Sequence, residues 1–197
     1  RFVYISSSMV YGDFEKTPIS ENCRKEPKEI YGGMKLAGEY MVKVYSQRYN
    51  IPYAIVRPSA VYGPTDTNNR VVSIFLKRAI QGEKVKVKNA QDTFLDFSYV
   101  EDVAEGIKKV TFSENGKNET FNITRGRSRT LEDLIKIINE LYPALEVEYI
   151  EGDSFRPKRG TLDISKAKKL VGYSPKIDIE DGVKAYSEFL EVAFNCI

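Results

Sequence analysis

The stretch Phe2-Val3-Tyr4-Ile5-Ser6-Ser7-Ser8-Met9-Val10-Tyr11-Gly12 runs from apolar residues into three adjacent hydroxyls and closes on a glycine. Its first part, Phe2–Ser6, is aromatic and β-branched and reads as a short buried strand. A second apolar run, Pro52-Tyr53-Ala54-Ile55-Val56-Arg57-Pro58, reads the same way and leads into Ser59-Ala60-Val61-Tyr62-Gly63. The two exits share Ser-x-Val-Tyr-Gly, at Ser8–Gly12 and Ser59–Gly63. Between them, from about Ile30 to Tyr49, Tyr31, Met34, Ala37, Met41 and Val44 recur at spacings of three and four. That period predicts a helix. A strand, a helix and a strand predict two parallel neighbours, with both Ser-x-Val-Tyr-Gly copies beyond their carboxyl ends. Open α/β sheets bind ligands there. Chance likeness of two strand exits is the competing reading.

The rest of the chain continues the alternation. Val71–Gln81 predicts a helix stopping at Gly82, and Lys84–Lys88 a strand with Val85 and Val87 on one face. Asp102–Val110 predicts a helix, Thr120–Ile123 a strand, and Thr130–Tyr142 a helix with a capping signal at Thr130 and Asp133 and a stop at Pro143. Leu145–Ile150 reads as a strand in which Leu145, Val147 and Tyr149 alternate with Glu146 and Glu148. Ser165–Val171 and Ile179–Phe194 predict the last two helices, and Pro18 to Pro27 reads as a loop. The expected class is α/β with parallel strands.

Composition removes several chemistries. With 30 basic and 28 acidic residues the formal charge is +2, which gives no reason to expect nucleic acid as a partner. No run approaches the roughly 18 apolar residues of a membrane span, so no membrane partner is expected. The chain has no histidine. Ser-His-Asp hydrolysis, Cys-His proteolysis and histidine metal sites are thereby excluded, and no metal is expected. No secretory leader is read, and the two cysteines, Cys23 and Cys196, are expected as free thiols in a reducing cytoplasm. Acid–base work falls to Tyr, Lys, Asp, Glu or Ser.

Tyr31 and Lys35, in "YGGMKLAGE", stand four apart, one turn from each other on one helix face. A phenol is a poor acid–base group at neutral pH, but a neighbouring ammonium stabilises the phenolate. Ser7 could hydrogen-bond the oxygen whose proton Tyr31 moves. Hydroxyl, phenol and ammonium make a proton-transfer site without histidine. Taken alone, the Tyr-x-x-x-Lys spacing is common on ordinary helix faces.

Six blocks in order give that spacing its weight: "SSSMVYGD" at 6–13, "YGGMKLAGE" at 31–39, "IVRPSAVYGP" at 55–64, "LDFSYVEDVAEGI" at 95–107, "FNITRGRSRTLEDL" at 121–134 and "RPKRGTLDISKAKKLVGYSP" at 156–175. In these the chain resembles the extended short-chain dehydrogenase/reductase family, in its NAD-dependent nucleotide-sugar epimerase and dehydratase branch. The resemblance implies the C-terminal part of a doubly wound, Rossmann-like parallel sheet plus a smaller α/β substrate-binding lobe. Residues 1–64 would be the remnant of the dinucleotide-binding domain and 65–197 mainly the substrate lobe, with 93–125 returning to the sheet. It implies that Tyr31 is the acid/base on the sugar oxygen, that Lys35 lowers its pKa and contacts the nicotinamide ribose, and that Ser7 is the hydroxyl partner. Pro58 would lie near the nicotinamide ring. Ser8, Met9, Ser59 and Ala60 would border the substrate, and Arg156 would grip the nucleotide diphosphate, as suits a planar fork of donors. A solvated surface arginine, alongside Lys158 and Arg159, is the competing reading of Arg156. Asp102 reads as a cap or brace, and Ser165-Lys166-Ala167 as a helix start. The implied cofactor is NAD, with NADP not excluded, the implied partner a nucleotide-sugar, and the implied assembly a homodimer.

The departures from the family carry information. Dehydratases have an Asp and a Glu directly after the catalytic hydroxyl, and decarboxylases keep the Glu; here Ser8 and Met9 stand there. A thioether neither gives nor takes a proton, so elimination loses its acid/base pair. Epimerisation by transient oxidation remains the expectation, with carbonyl reduction as the alternative and a non-catalytic binding module as a third reading. Ala60 stands where an Asn is usual, and Leu95-Asp96-Phe97 where Arg-Asp-Phe is usual. No G-x-G-x-x-G or G-x-x-G-x-x-G occurs in the sequence. The expectation is a fragment lacking the cofactor-cradling half, with weak NAD binding as it stands and an open sheet edge that favours association.

Overall fold

The computed structural model describes residues 1–150, 152 and 156–195, so Cys196 lies outside the described residues. β1 (Phe2–Ile5), α1 (Ile30–Tyr49) and β2 (Tyr53–Arg57) come first, followed by β3 (Val61–Tyr62), α2 (Val71–Ile80) and β4 (Val85–Lys88). β5 (Phe94–Leu95) and β6 (Ser98–Tyr99) lead into α3 (Val100–Phe112), β7 (Glu119–Asn122) and β8 (Arg129–Thr130). Then come α4 (Leu131–Leu141), β9 (Val147–Ile150), α5 (Ser165–Val171) and α6 (Ile179–Asn195).

The parallel pair joined by a helix is present. β1, β2 and β7 form one parallel sheet with β2 in the middle, Phe2 pairing with Tyr53 and Ala54 with Glu119. The ladder continues past the strand ends: Ser6 N donates to Val56 O at 2.8 Å and Ser8 N to Pro58 O at 2.9 Å. The two Ser-x-Val-Tyr-Gly exits therefore lie side by side. Two further parallel pairs, β3–β6 and β4–β9, the antiparallel β5–β8 and an isolated parallel bridge between Ile19 and Leu162 complete the described pairings. The chain is α/β with parallel sheets.

One core gathers around α2, α4 and α6, where Leu76, Leu134, Ile138 and Val183 are fully buried together with Val85 of β4. A second lies against the three-stranded sheet and contains Val56, Val110, Phe121 and Ala167. α4 shows how the sequence builds such an element. Leu131, Leu134, Ile135 and Ile138 form its buried stripe. Thr130 Oγ1 accepts from Asp133 N while Asp133 Oδ2 accepts from Thr130 N, both at 3.0 Å, so the expected capping signal is a complete capping box. Asp102 is a brace and not a cap: its carboxylate accepts from Lys176 N and Ile177 N at 2.9 Å.

Three features differ from the sequence reading or go beyond it. The stripe Tyr31, Met34, Ala37, Met41 and Val44 that predicts α1 is exposed along its length, and α1 buries Gly32 and Glu39 instead. The period identified a helix with an apolar face, but β1 and β2 lie beneath its other side. β9 begins at Val147, and Tyr149 faces outward at 58% exposure. Finally, β3, β5, β6 and β8 are two residues each, too short to show any period in the sequence. Among the described residues, no helix is long and apolar enough to cross a membrane.

Asp96 ties the segment after residue 156 to the sheet side. Fully buried, it accepts from Thr124 Oγ1 and Gly126 N at 3.1 Å and from Leu162 N at 3.0 Å. Burial pushes its carboxyl up to about 6, against the opposing pull of those hydrogen bonds. A folded-state pKa above the unfolded value makes a contribution that is complete below the unfolded pKa of 3.8 and is lost as pH rises through about 6. Two units of difference correspond to about 3 kcal/mol. Urea unfolding at pH 4 and pH 7 is expected to show this loss in the wild-type chain and its absence in Asp96→Asn. An identical pH dependence in the two proteins would contradict it.

Candidate active site

The exit of β1 is shaped by its own hydroxyls. Ser7 Oγ accepts from Met9 N at 3.1 Å, capping a single tight turn over Ser8–Tyr11. That bond uses the oxygen's lone pair and leaves the hydroxyl proton free to donate. Gly12 ends the turn at φ +67°, where a Cβ would stand 1.9 Å from Glu26 O. Only glycine fits there.

Close approach of α1 brings the other residues to this exit. A Cβ on Gly32 would lie 2.5 Å from Met9 O, so the first turn of α1 rests directly on the Ser8–Tyr11 turn. Tyr31, the neighbour of Gly32, is half exposed at 51%. Lys35 Nζ donates to Ile5 O at 2.8 Å and lies 5.7 Å from the centre of the Tyr31 ring. Phenol, ammonium and Ser7 therefore border the same strand exit, with Pro58 next in the ladder.

Deeper in, a buried polar network fixes α1 to the sheet. Arg57 donates through Nε to Glu39 Oε1 at 2.8 Å and through Nη2 to Glu39 Oε2 at 2.6 Å, with both side chains about 2% exposed. Ser6 Oγ donates to Glu39 Oε1 at 2.6 Å, and Arg57 Nη1 donates to Tyr11 OH at 2.9 Å and to Glu21 O at 3.1 Å. Tyr11 OH in turn donates to Asn122 Oδ1 at 2.7 Å. Burial alone would push the Glu39 carboxyl up, but the hydrogen bonds and charge of Arg57 hold it below the usual carboxylate range. Burial pushes the Tyr11 phenol up to about 12, so it serves as a neutral linker. Glu39 lies one turn beyond Lys35, and the network sets where Tyr31 and Lys35 stand.

A cavity of about 560 Å³ opens beside this exit. Met9, Glu29, Arg156 and Arg159 line it, with Lys88 and Asp92 on the far side. Arg156 is exposed at its rim, whereas Arg159 reaches inward. Arg159 Nη2 donates to Ser8 Oγ at 2.7 Å and to Ser59 Oγ at 2.9 Å, joining the two strand exits. Ala60, which follows, takes a left-handed φ of +38° and is half-buried against the larger core. Ser7, Tyr31, Lys35 and Pro58 do not line this cavity. Cys23 is a half-buried free thiol.

Sequence reasoning passed over Gly32, Glu39, Arg57 and Arg159. Glu39 and Arg57 were given no role, since nothing local pairs residues 18 positions apart. For Arg159 the signal was present, as a second arginine three positions after Arg156.

Comparison with known proteins agrees with this architecture. The model of the "NAD dependent epimerase/dehydratase family" matches residues 1–124. A putative UDP-glucose 4-epimerase of Methanocaldococcus jannaschii is 34% identical over 93% of this chain and 61% of its own length. The crystal structure of Thermotoga maritima UDP-glucose 4-epimerase with UDP-glucose superposes with a TM-score of 0.92 at 30% identity, over 98% of this chain and 64% of that one. UDP-glucuronic acid 4-epimerase from Bacillus cereus, in complex with UDP-glucuronic acid and NAD, gives a TM-score of 0.91 at 27% identity, over 98% and 62%. The chain thus spans about three fifths of the length of these relatives. With its family model matched from the first strand through β7 and its fold shared with solved epimerases, the chain belongs to the NAD-dependent epimerase/dehydratase family.

Proposed function

We propose that this chain is the catalytic and substrate-side part of an NAD-dependent nucleotide-sugar epimerase. Residues 1–64 would belong to the cofactor-binding half and 65–197 mainly to the substrate lobe. The observation that carries the reading is the contact of Gly32 with Met9 O. It sets Tyr31 and Lys35 over the exit that holds Ser7, and Met9, which lines the cavity, carries a thioether where elimination would need a carboxylate.

The residues present fit the nicotinamide end of NAD. Lys35 uses one of its three donors on Ile5 O, Tyr31 is open, and Pro58 stands at the neighbouring strand exit. NAD, when bound, takes a hydride from a sugar carbon and returns it. The chain's own part is proton transfer and orientation. Tyr31, as a phenolate whose charge Lys35 balances, would take the proton of the sugar hydroxyl, and as a neutral phenol would give it back on re-reduction. Ser7, its proton free, would donate to the same sugar oxygen. Arg156, at the cavity rim, would hold the diphosphate. Ser8 is bonded to Arg159, and Met9 carries no proton, so the pair that elimination needs is missing. The family relationship and the nucleotide-sugar complexes of the similar structures support this reading.

The test is product analysis with the full-length protein, NAD and uridine-diphosphate sugars, followed by NMR. Inversion at one sugar carbon without net consumption of NAD is expected. Stoichiometric consumption of NAD(P)H would instead make the protein a carbonyl reductase, and loss of water or carbon dioxide from the sugar would overturn the role given to Met9.

A further inference from the structure

Arg159, partly exposed where it enters the cavity, differs from the buried Arg57. Arg57 is matched by the Glu39 carboxylate, but among the described residues no carboxylate lies within ion-pair distance of Arg159. Its protein partners are two neutral hydroxyls, of Ser8 and Ser59, only 1% and 3% exposed. Both bonds use Nη2, so three of the five guanidinium N–H donors have no acceptor among the described residues. Burial lowers its pKa, opposed only by the more distant charges of Asp96 and Glu29. A guanidinium with donors to spare at a cavity wall favours an anion there. Among the described residues, the cavity it enters carries Lys88, Arg156, Lys158 and Arg159 against Glu29 and Asp92, a balance that favours an anion.

Position identifies which anion. Arg156 is exposed at the rim, the place for a diphosphate that extends outward. Arg159 spans the two strand exits, beside Ser8, which directly follows Ser7, and Ser59, which directly follows Pro58. On the epimerase reading, which puts the sugar ring at these exits, Arg159 is the arginine held there. We propose that Arg159 reads a carboxylate on the sugar ring, making nucleotide-linked uronic acids the preferred substrate class over neutral hexoses. A guanidinium there gains a charge-assisted bond from a ring carboxylate and only a neutral one from a hydroxymethyl group. The inference rests on the epimerase reading for the orientation of the substrate.

Equilibrium binding to the full-length protein with NAD, using UDP-glucuronate, UDP-glucose and UDP, tests it. The wild type is expected to bind UDP-glucuronate at least about tenfold more tightly than UDP-glucose, as one charge-assisted bond requires. Arg159→Gln, which keeps a donor and drops the charge, should abolish that preference, and Arg159→Lys should keep part of it. Equal weakening of all three ligands in Arg159→Gln would make Arg159 a diphosphate ligand and overturn the proposal. So would a wild type with no preference, and that measurement decides alone if neither variant folds. A binding preference without epimerisation would end the epimerase reading and leave this one standing. Epimerisation of UDP-glucose with no preference would do the reverse.

Discussion

Tyr31→Phe in the full-length protein is expected to lower turnover by about a thousandfold, within the range that a positioned acid–base group supplies. The substitution removes one oxygen and keeps the ring. Tyr31 is half exposed at the first turn of α1, and the packing there is made by Gly32 against Met9 O, not by the phenol. Folding should be unaffected, and an unchanged unfolding midpoint is the control. A thousandfold loss corresponds to about 4 kcal/mol of transition-state stabilisation. KM should move by no more than about threefold, since an interaction made only in the transition state lowers kcat and kcat/KM together. Steady-state kinetics on a nucleotide-sugar substrate makes the measurement. Retention of even a tenth of the turnover would remove Tyr31 from the proton path and return the site to a binding role.

The second large effect concerns stability. Arg57→Ala is expected to cost about 3–5 kcal/mol, the cost of leaving one charge of a buried pair alone. Glu39 would be left with the Ser6 hydroxyl as partner, and Tyr11 OH and Glu21 O would each lose a donor. The sign of the pH dependence follows from Glu39. In the wild type its pKa is held down by Arg57, so its contribution is present above the unfolded carboxylate pKa and is lost as pH falls. In Arg57→Ala burial acts without that opposition, and a protonated Glu39 needs no cation. The deficit should therefore narrow as pH falls. Urea denaturation at two pH values measures it. The double variant Arg57→Ala/Glu39→Ala should lose less than the sum of the single changes. A deficit below about 1 kcal/mol, the worth of an exposed pair, would show that the network does not set the position of α1.

How far the sequence reaches depends on the range of the interaction. The strand–helix–strand unit was legible because it rests on periods within 20 residues: the apolar run of β1, the three-and-four spacing of α1, and the apolar run of β2. The capping box of α4 was legible for the same reason, its partners being three residues apart. Within the site, Tyr31 and Lys35 were legible as a pair because one helical turn relates them. The positioning groups were not. Glu39 and Arg57 look like any other charges until the fold buries both, and Gly32 looks like a poor helix residue until Met9 O is placed against it. The outward stripe of α1 shows the limit from the other side. Periodicity reports that a helix has an apolar face, and says nothing of what lies against it.

Asn122, at the end of β7, brings together parts of the chain that are far apart in sequence. Its backbone N–H donates to Glu21 Oε1 at 2.8 Å, across 101 positions, and its side chain donates to Ile19 O and Asp163 O at 3.1 Å while accepting from Tyr11. Solvent deuterium can replace the backbone amide proton only when the Glu21 carboxylate has let go of it. Its exchange rate is therefore a one-residue gauge of whether the loop around Glu21 is seated on β7, and an NMR or mass-spectrometric time course at Asn122 would follow its release without any probe being added.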